Sequence, residues 1–232
     1  MKRNHKTPLK AVIILLIAAV IPFLTVNAKT PKRQNTSKQN ASKQNGSKIV
    51  TIAGHEWMVE NLAVDHYRNG DPIPMVEDPE QWVQLTTGAW CYYENRSENG
   101  VTYGKLYNWY AVNDPRGLAP EGWHVATDNE WNDIVAALGG EKAAGTRLKS
   151  TVLWKTSLVG SDNSSGFTAI PSGYRSSNGT FSLLGTNSSF WTATEENAYS
   201  AWYRDMYNSY SAVYRISTSK TQGFAVRCVK NY

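Results

Sequence analysis

Histidine and cysteine are scarce: 232 residues include four of the first and two of the second. No two histidines stand at a zinc-binding spacing, and neither a glycine-rich phosphate loop nor a Gly-x-Ser-x-Gly elbow occurs, so the commonest routes to zinc, nucleotide and serine chemistry have no support. Long apolar runs are missing too. The longest, Ala11 to Leu24, has 14 residues, short of the ~20 that span a bilayer. Acids are absent from residues 1–48, which hold ten of the 24 Lys and Arg; the other 184 residues carry 14 bases against all 19 acids. The overall charge of +5 therefore belongs to the N-terminal segment. The remainder is acidic, which removes the argument from basicity to nucleic acid.

What is present begins with a secretory pattern. Lys2, Arg3, Lys6 and Lys10 precede the apolar run, and Val26-Asn27-Ala28 offers small residues for cleavage after Ala28, so residues 1–28 are expected to be a signal peptide. No cysteine lies near that point, which argues against a lipid anchor. Residues 29–48 repeat Asn-Thr-Ser-Lys-Gln, Asn-Ala-Ser-Lys-Gln and Asn-Gly-Ser-Lys from Asn35. Such a polar tract cannot bury enough apolar surface to offset its ordering entropy and is expected to be a disordered tether. Each repeat, and Asn95, Asn163, Asn178 and Asn187, also spells an Asn-x-Ser/Thr acceptor, relevant only in a host that glycosylates secreted chains. The expectation is a protein secreted, periplasmic or at the cell surface, with no transmembrane segment after cleavage.

Residues 49–232 suit one domain. They contain all nine tryptophans and all thirteen tyrosines, a density that serves either a core of large anchors or an aromatic binding face. Two β-rich runs, 48–52 and 56–62, flank Ala53-Gly54-His55 as a hairpin. Tyr103, Leu106, Tyr107 and Tyr110 fall at helical spacing, predicting a helix over 103–112. Thr127 and Glu130 form a capping box, so a helix should start at Asp128, bury Trp131, Ile134, Val135 and Leu138, and stop at Gly139-Gly140. A shorter helix is expected over 141–149. Strands are expected over 167–171, 189–194, 201–207, 212–217 and 223–229, with Asn208-Ser209 as a hairpin turn. Helices in the first half and antiparallel strands in the second predict an α+β domain.

Cys91 and Cys228 are the only cysteines, and in an oxidising compartment an even count favours a disulfide. Two buried free thiols are the alternative. Thr194-Glu195-Glu196-Asn197 groups oxygen ligands, making Glu195, Glu196 and Asn197 candidates for calcium, the one cofactor considered; two acids in four residues are a weak signal, and a solvated turn is the readier explanation. Ser161-Asp162-Asn163-Ser164-Ser165 has the same ambiguity. The densest aromatic group is Tyr199, Trp202, Tyr203, Tyr207, Tyr210 and Tyr214. Strand alternation puts Tyr203, Asp205 and Tyr207 on one face and Trp202, Arg204 and Met206 on the other. Trp202, Tyr203, Asp205, Tyr207 and Tyr210 are therefore the candidate ligand-binding residues. His124 reads as a hydrogen-bonding group at the start of the capped helix.

Trp57-Met58-Val59-Glu60-Asn61-Leu62, the run from Tyr67 to Pro74, Tyr103 to Val112, Leu118 to Val125, Ser165 to Arg175, Phe190 to Glu195 and Gly223 to Val229 together resemble the Fibrobacter succinogenes major paralogous domain family. That resemblance covers nearly all of residues 49–232 in order. It implies a secreted or surface bacterial domain with no established activity, and it adds to the disulfide reading, since Cys91 and Cys228 sit where the family commonly carries cysteines. Tyr107-Asn108-Trp109, the Trp123 to Trp131 run and Gly223-Phe224-Ala225-Val226-Arg227 are more distantly similar to the formylglycine-generating enzyme family, which implies a single C-type-lectin-like domain. That family's chemistry needs a cysteine pair ahead of the final Gly-Phe strand, and none lies between Trp191 and Gly223. Lectin-type calcium tripeptides are also absent. The expected function is a non-catalytic recognition module for a glycan or surface protein. An extracellular enzyme and a purely structural envelope module are the alternatives.

Overall fold

The computed structural model describes residues 48–156 and 159–232. The expected signal peptide and, Lys48 apart, the expected tether lie outside the described residues. The domain opens on the anticipated hairpin, β1 (Ile49–Ile52) and β2 (His55–Met58), paired Val50 to Trp57 across a turn in which Ala53 and Gly54 have positive φ. α1 (Pro79–Val83) starts where Asp78 accepts the Gln81 N–H at 2.8 Å with proline at its first turn. β3 (Trp90–Cys91) pairs with β4 (Leu106–Tyr107) across α2 (Ser97–Tyr103), and α3 (Trp109–Val112) is capped by Asn108.

β5 (Trp123–Val125) leads into α4 (Asp128–Ala137), where Thr127 N–H donates to Glu130 Oε2 at 2.7 Å and Glu130 N–H to Thr127 Oγ1 at 3.3 Å. This is the capping box read from the sequence, and Trp131, Ile134 and Val135 are buried beneath it. α5 (Glu141–Leu148) follows. Then come β6 (Tyr174–Arg175), β7 (Phe181–Ser182), β8 (Asn187–Glu195), β9 (Ser200–Tyr207), β10 (Tyr214–Ser219) and β11 (Cys228–Lys230).

The segregated α+β layout expected from the sequence, and with it the single C-type-lectin-like domain, is not what forms. Eleven strands and five short helices make up the described residues, the strands gathered in four small antiparallel sheets. Five of the strands precede α4, interleaved with helices, and C-terminal β11 inserts between β2 and β5 to complete the sheet β1-β2-β11-β5. Within the helix expected over 103–112 the misread part is 104–108, since Tyr103 ends α2 and Trp109–Val112 is α3. Its helical spacing is broken at Gly104, whose φ of 74° ends α2, and where an added Cβ would lie 2.9 Å from Asn61 Cβ. Leu106 and Tyr107 are then drawn into pairing, with Tyr107 N–H donating to Phe224 O at 2.9 Å, so a long-range strand replaces a local helix. The expected two-residue turn at 208–209 is a six-residue connection over 208–213. Lys149 Nζ holds the carbonyls of Tyr207 (3.0 Å) and Tyr210 (2.8 Å), and Val213 N–H donates to Glu141 O at 2.8 Å, fixing that connection on α5.

The sheet β10-β9-β8 lies between two cores. Trp191, with Tyr107, Trp109 and Phe224, fills one; neighbouring Phe190, with Trp57, Trp131, Phe167 and Met206, fills the other. Because successive strand residues point to opposite faces, β8 is buried on both. Six of the nine tryptophans are buried, so most of the aromatic density is packing. Much of the rest of the described chain is loop, whose buried carbonyls need donors. Fully buried Arg175 and Arg227 supply them: Arg175 donates to Val76 O (2.6 Å), Glu77 O (2.7 Å) and Gly179 O (3.0 Å) while its guanidinium lies 4.4 Å above the Trp82 ring.

The expected disulfide is absent. Cys91 and Cys228 are free thiols, both fully buried, in separate hydrophobic clusters: Cys91 beside Trp82, Tyr93 and Leu106, Cys228 beside Tyr107, Trp109 and Val226. Each is packed as a small apolar side chain within its own strand pair. Burial pushes both thiols up to about 12, far above the range of a reactive cysteine. Native protein should therefore react with an aromatic disulfide reagent at neither position until denaturant is added, when two thiols per chain should appear. Intact mass under non-reducing conditions should be that of the dithiol form; a mass lower by two hydrogens would contradict the arrangement.

Candidate functional site

The three-stranded sheet decides where the candidate aromatic residues go. Register places Tyr214 directly opposite Asp205 and Ile216 opposite Tyr203, so β10 adds its own residues to the face that carries Tyr203, Asp205 and Tyr207. Tyr210 reaches the same place from the 208–213 connection. Tyr207, Tyr210 and Tyr214 form a closed trio, with ring centroids 6.2, 6.0 and 6.1 Å apart and planes inclined by 69° to 89°. Edge-to-face packing of this kind is favourable for aromatic quadrupoles. Tyr210 is 54% and Tyr214 37% exposed, and Ile216 beside them 38%. Tyr214 stands on β10, the edge of its sheet, with Tyr207 at the end of neighbouring β9.

Beneath the trio the structure is buried and polar. Asp205 is buried and accepts from Asn187 Nδ2 at 2.6 Å and Ser189 Oγ at 2.8 Å. Burial raises its carboxyl pKa, while hydrogen bonds from Tyr207, Asn187 and Ser189 oppose the shift. Burial and the Asp205 hydrogen bond together push the Tyr207 phenol above its ordinary value, so it stays a neutral donor. At the inner end Tyr203 is half-buried, its ring 4.6 Å from Phe224 and 6.1 Å from Trp191. The face grades from core at Tyr203 to open surface at Tyr214.

The sequence profile of the Fibrobacter succinogenes major domain matches residues 50–230. The chain belongs to this family. No curated protein and no solved structure matches it, so the formylglycine-enzyme likeness gains no support. The stretches that mark the family are scaffold: Trp57, Trp109, Arg175 and Arg227 are all buried, and Asn108 caps α3 while its Oδ1 also accepts the Ala89 N–H at 3.0 Å.

Within this major domain the other candidates separate. Asp205 is not a contact residue, because it is 2% exposed; it supports the tyrosines from below. Trp202 is on the opposite face, its ring 3.4 Å beneath the Arg215 guanidinium. Glu195, Glu196 and Asn197 lie at the turn from β8 to β9, and their oxygens hold that turn together. Asn197 Oδ1 accepts from Tyr199 N–H (2.8 Å) and Ser200 N–H (3.0 Å), Glu196 accepts from Ser200 Oγ at 2.6 Å, and Glu195 pairs with Lys220. Asp162 and Asn163 form comparable turns, accepting from Ser164 N–H and Thr168 N–H, each at 2.8 Å. Among the described residues no group of three or more His, Cys, Asp or Glu is placed to hold a metal ion, and no helix is long and apolar enough to cross a membrane. His124 bridges Glu130 and Asn231, 2.7 Å from each, as a connector. Tyr214 and Ile216 join the site only through strand register, which the sequence shows as alternation but not as pairing.

Proposed function

We propose that this major domain is a non-catalytic recognition module that works outside the cytoplasm, secreted or at the cell surface, and binds a glycan on the Tyr207–Tyr210–Tyr214 face. The trio carries the reading. Three half-exposed rings, braced by a buried Asp-Asn-Ser network, offer apolar ring surface to the C–H faces of sugars and hydroxyl tips to their oxygens, with little ordering entropy left to lose on binding. The enzyme alternative through cysteine chemistry is weakened by thiols that are buried and hard to ionise. The acids considered for calcium are engaged in a turn and an ion pair, so binding is expected to be the same with and without calcium.

A glycan array probed with the purified chain tests this directly. Tyr210→Ala and Tyr214→Ala should each weaken binding at least about tenfold, the scale of an aromatic contact worth more than ~1 kcal/mol, while thermal unfolding moves little because both side chains are exposed. Retention of no glycan, or full binding by the double variant, would reject the assignment.

A further inference from the structure

The opposite end of the same sheet holds a cavity whose chemistry differs from that of the tyrosine face. Glu195 ends β8 and Lys220 follows β10, whereas the tyrosine trio lies at the other ends of these strands; eight residues of β9 separate the two, roughly 25 Å at strand rise. The cavity holds about 290 Å³ and is walled by α3 and the 113–116 turn on one side and by Glu195 and Lys220 on the other.

Its charges are already matched. The Lys220 side chain is 7% exposed, lies 4.7 Å over the Trp109 ring, pairs with Glu195 and donates to Ala198 O at 2.9 Å. Arg116 donates through Nε and Nη2 to Asp114, both at 2.8 Å, and through Nη1 to Asp71 at 3.2 Å. Two lining cations face two lining acids, each within a pair, so an anionic or cationic ligand would have to break a pair to gain one. What remains open carries no unpaired charge. Among the described residues the Asn113 side-chain amide and the Tyr110 hydroxyl have no hydrogen-bond partner, Asn113 is exposed and Tyr110 half-buried, and Glu195 has a second oxygen beyond the one that meets Lys220.

Free amide and hydroxyl groups, a carboxylate oxygen and an aromatic wall suit a ligand that both donates and accepts at several neighbouring points. Ligand pockets for drug-sized molecules run from ~300 Å³ upward, so this volume suits one ring. We infer that the cavity between α3 and Lys220 is a subsite for a single neutral pyranose. It is independent of the tyrosine face.

The test is a titration of the full chain with the methyl pyranosides of glucose, galactose, mannose, xylose and N-acetylglucosamine, followed by NMR at the Trp109 indole N–H, which donates to Thr192 O at 2.9 Å. At least one pyranoside should move the Trp109 and Asn113 signals, and Asn113→Ala and Tyr110→Phe should each weaken it at least about fivefold, the loss of roughly one neutral hydrogen bond. Tyr210→Ala and Tyr214→Ala should leave this affinity unchanged, which separates the subsite from the tyrosine face. No response to any of the five, binding that survives both Asn113→Ala and Tyr110→Phe, or a response to inorganic phosphate or acetate instead would overturn the inference.

Discussion

Asp128→Ala is expected to lower unfolding free energy by roughly 3–5 kcal/mol, the range for removing one partner of a buried ion pair. Asp128 is the first residue of α4 and is itself buried. Its Oδ1 accepts from Arg204 Nη2 at 2.6 Å and its Oδ2 from Arg215 Nε at 2.8 Å, joining the helix to two strands. Arg204 is fully buried, and its Nε and Nη1 have no partner among the described residues. Burial lowers its pKa, and Asp128 is the first of the groups that oppose the shift. Alanine would leave that cation with Asn132 Oδ1 (2.7 Å) and the Asp128 backbone carbonyl (3.2 Å) as its hydrogen-bonding partners. Asp128→Asn keeps an acceptor and loses the charge, so it should fall between wild type and alanine. Pairing Asp128→Ala with Arg204→Met should recover part of the loss, because an apolar side chain of similar length needs no counter-charge. Chemical denaturation of the four proteins gives the answer. A cost below about 1 kcal/mol for alanine would place the pair with ordinary surface salt bridges.

The second large effect concerns Arg227→Met, expected to cost about 4–5 kcal/mol, the upper tail for single substitutions. Arg227 is buried immediately before β11 and has no acid among its hydrogen-bond partners. Its guanidinium donates to Asn61 Oδ1 (2.8 Å), Met58 O (3.0 Å), Phe167 O (2.8 Å) and Thr168 O (2.9 Å), with the Phe167 ring 4.6 Å away. Methionine fills much of the space but orphans three buried acceptors and a partly buried one, the Thr168 carbonyl; a buried acceptor left unmet costs ~1–3 kcal/mol, and such costs are not additive. Thr168 has φ of 59°, unfavourable for a β-branched residue; losing the bond to its carbonyl removes one restraint on that conformation. Burial lowers the arginine pKa to about 9, so it remains a cation at neutral pH. Arg227→Lys should also be costly, since an ammonium has three donors and no planar fork. Against a total of ~5–15 kcal/mol for a domain, the methionine variant should be isolated as a marginal fold. Hydrogen exchange at 58–62 and 167–169 should rise first, and unchanged protection there would refute the role given to Arg227.

How much of this could be read from the sequence depended on the range of the interaction. α4 was legible, its start to the residue, because a capping box, an apolar stripe and a glycine stop are all set within one or two turns; Leu138, expected in the buried stripe, is the partly buried C-cap. The β1–β2 hairpin was legible for the same reason. The middle of the 103–112 run was not, since its helical spacing is overruled there by partners as distant as Phe224, although Trp109–Val112 does form a helix. The tyrosine face was half legible. Alternation along β9 put Tyr203, Asp205 and Tyr207 together, yet nothing local says that Asp205 is buried or that Trp202 lies under Arg215.

The sequence alone determined the family, through residues 50–230, together with the local helix and turn signals and the lack of familiar metal, phosphate and serine motifs. The tertiary structure decided that β11 completes the N-terminal sheet, that Cys91 and Cys228 occupy separate cores, and that Tyr214 meets Tyr207 and Tyr210. Each of these is a matter of strand register or of which core a side chain enters. Those are set by pairing and burial between segments far apart in the chain, and a single sequence records the alternation of its residues without recording their partners.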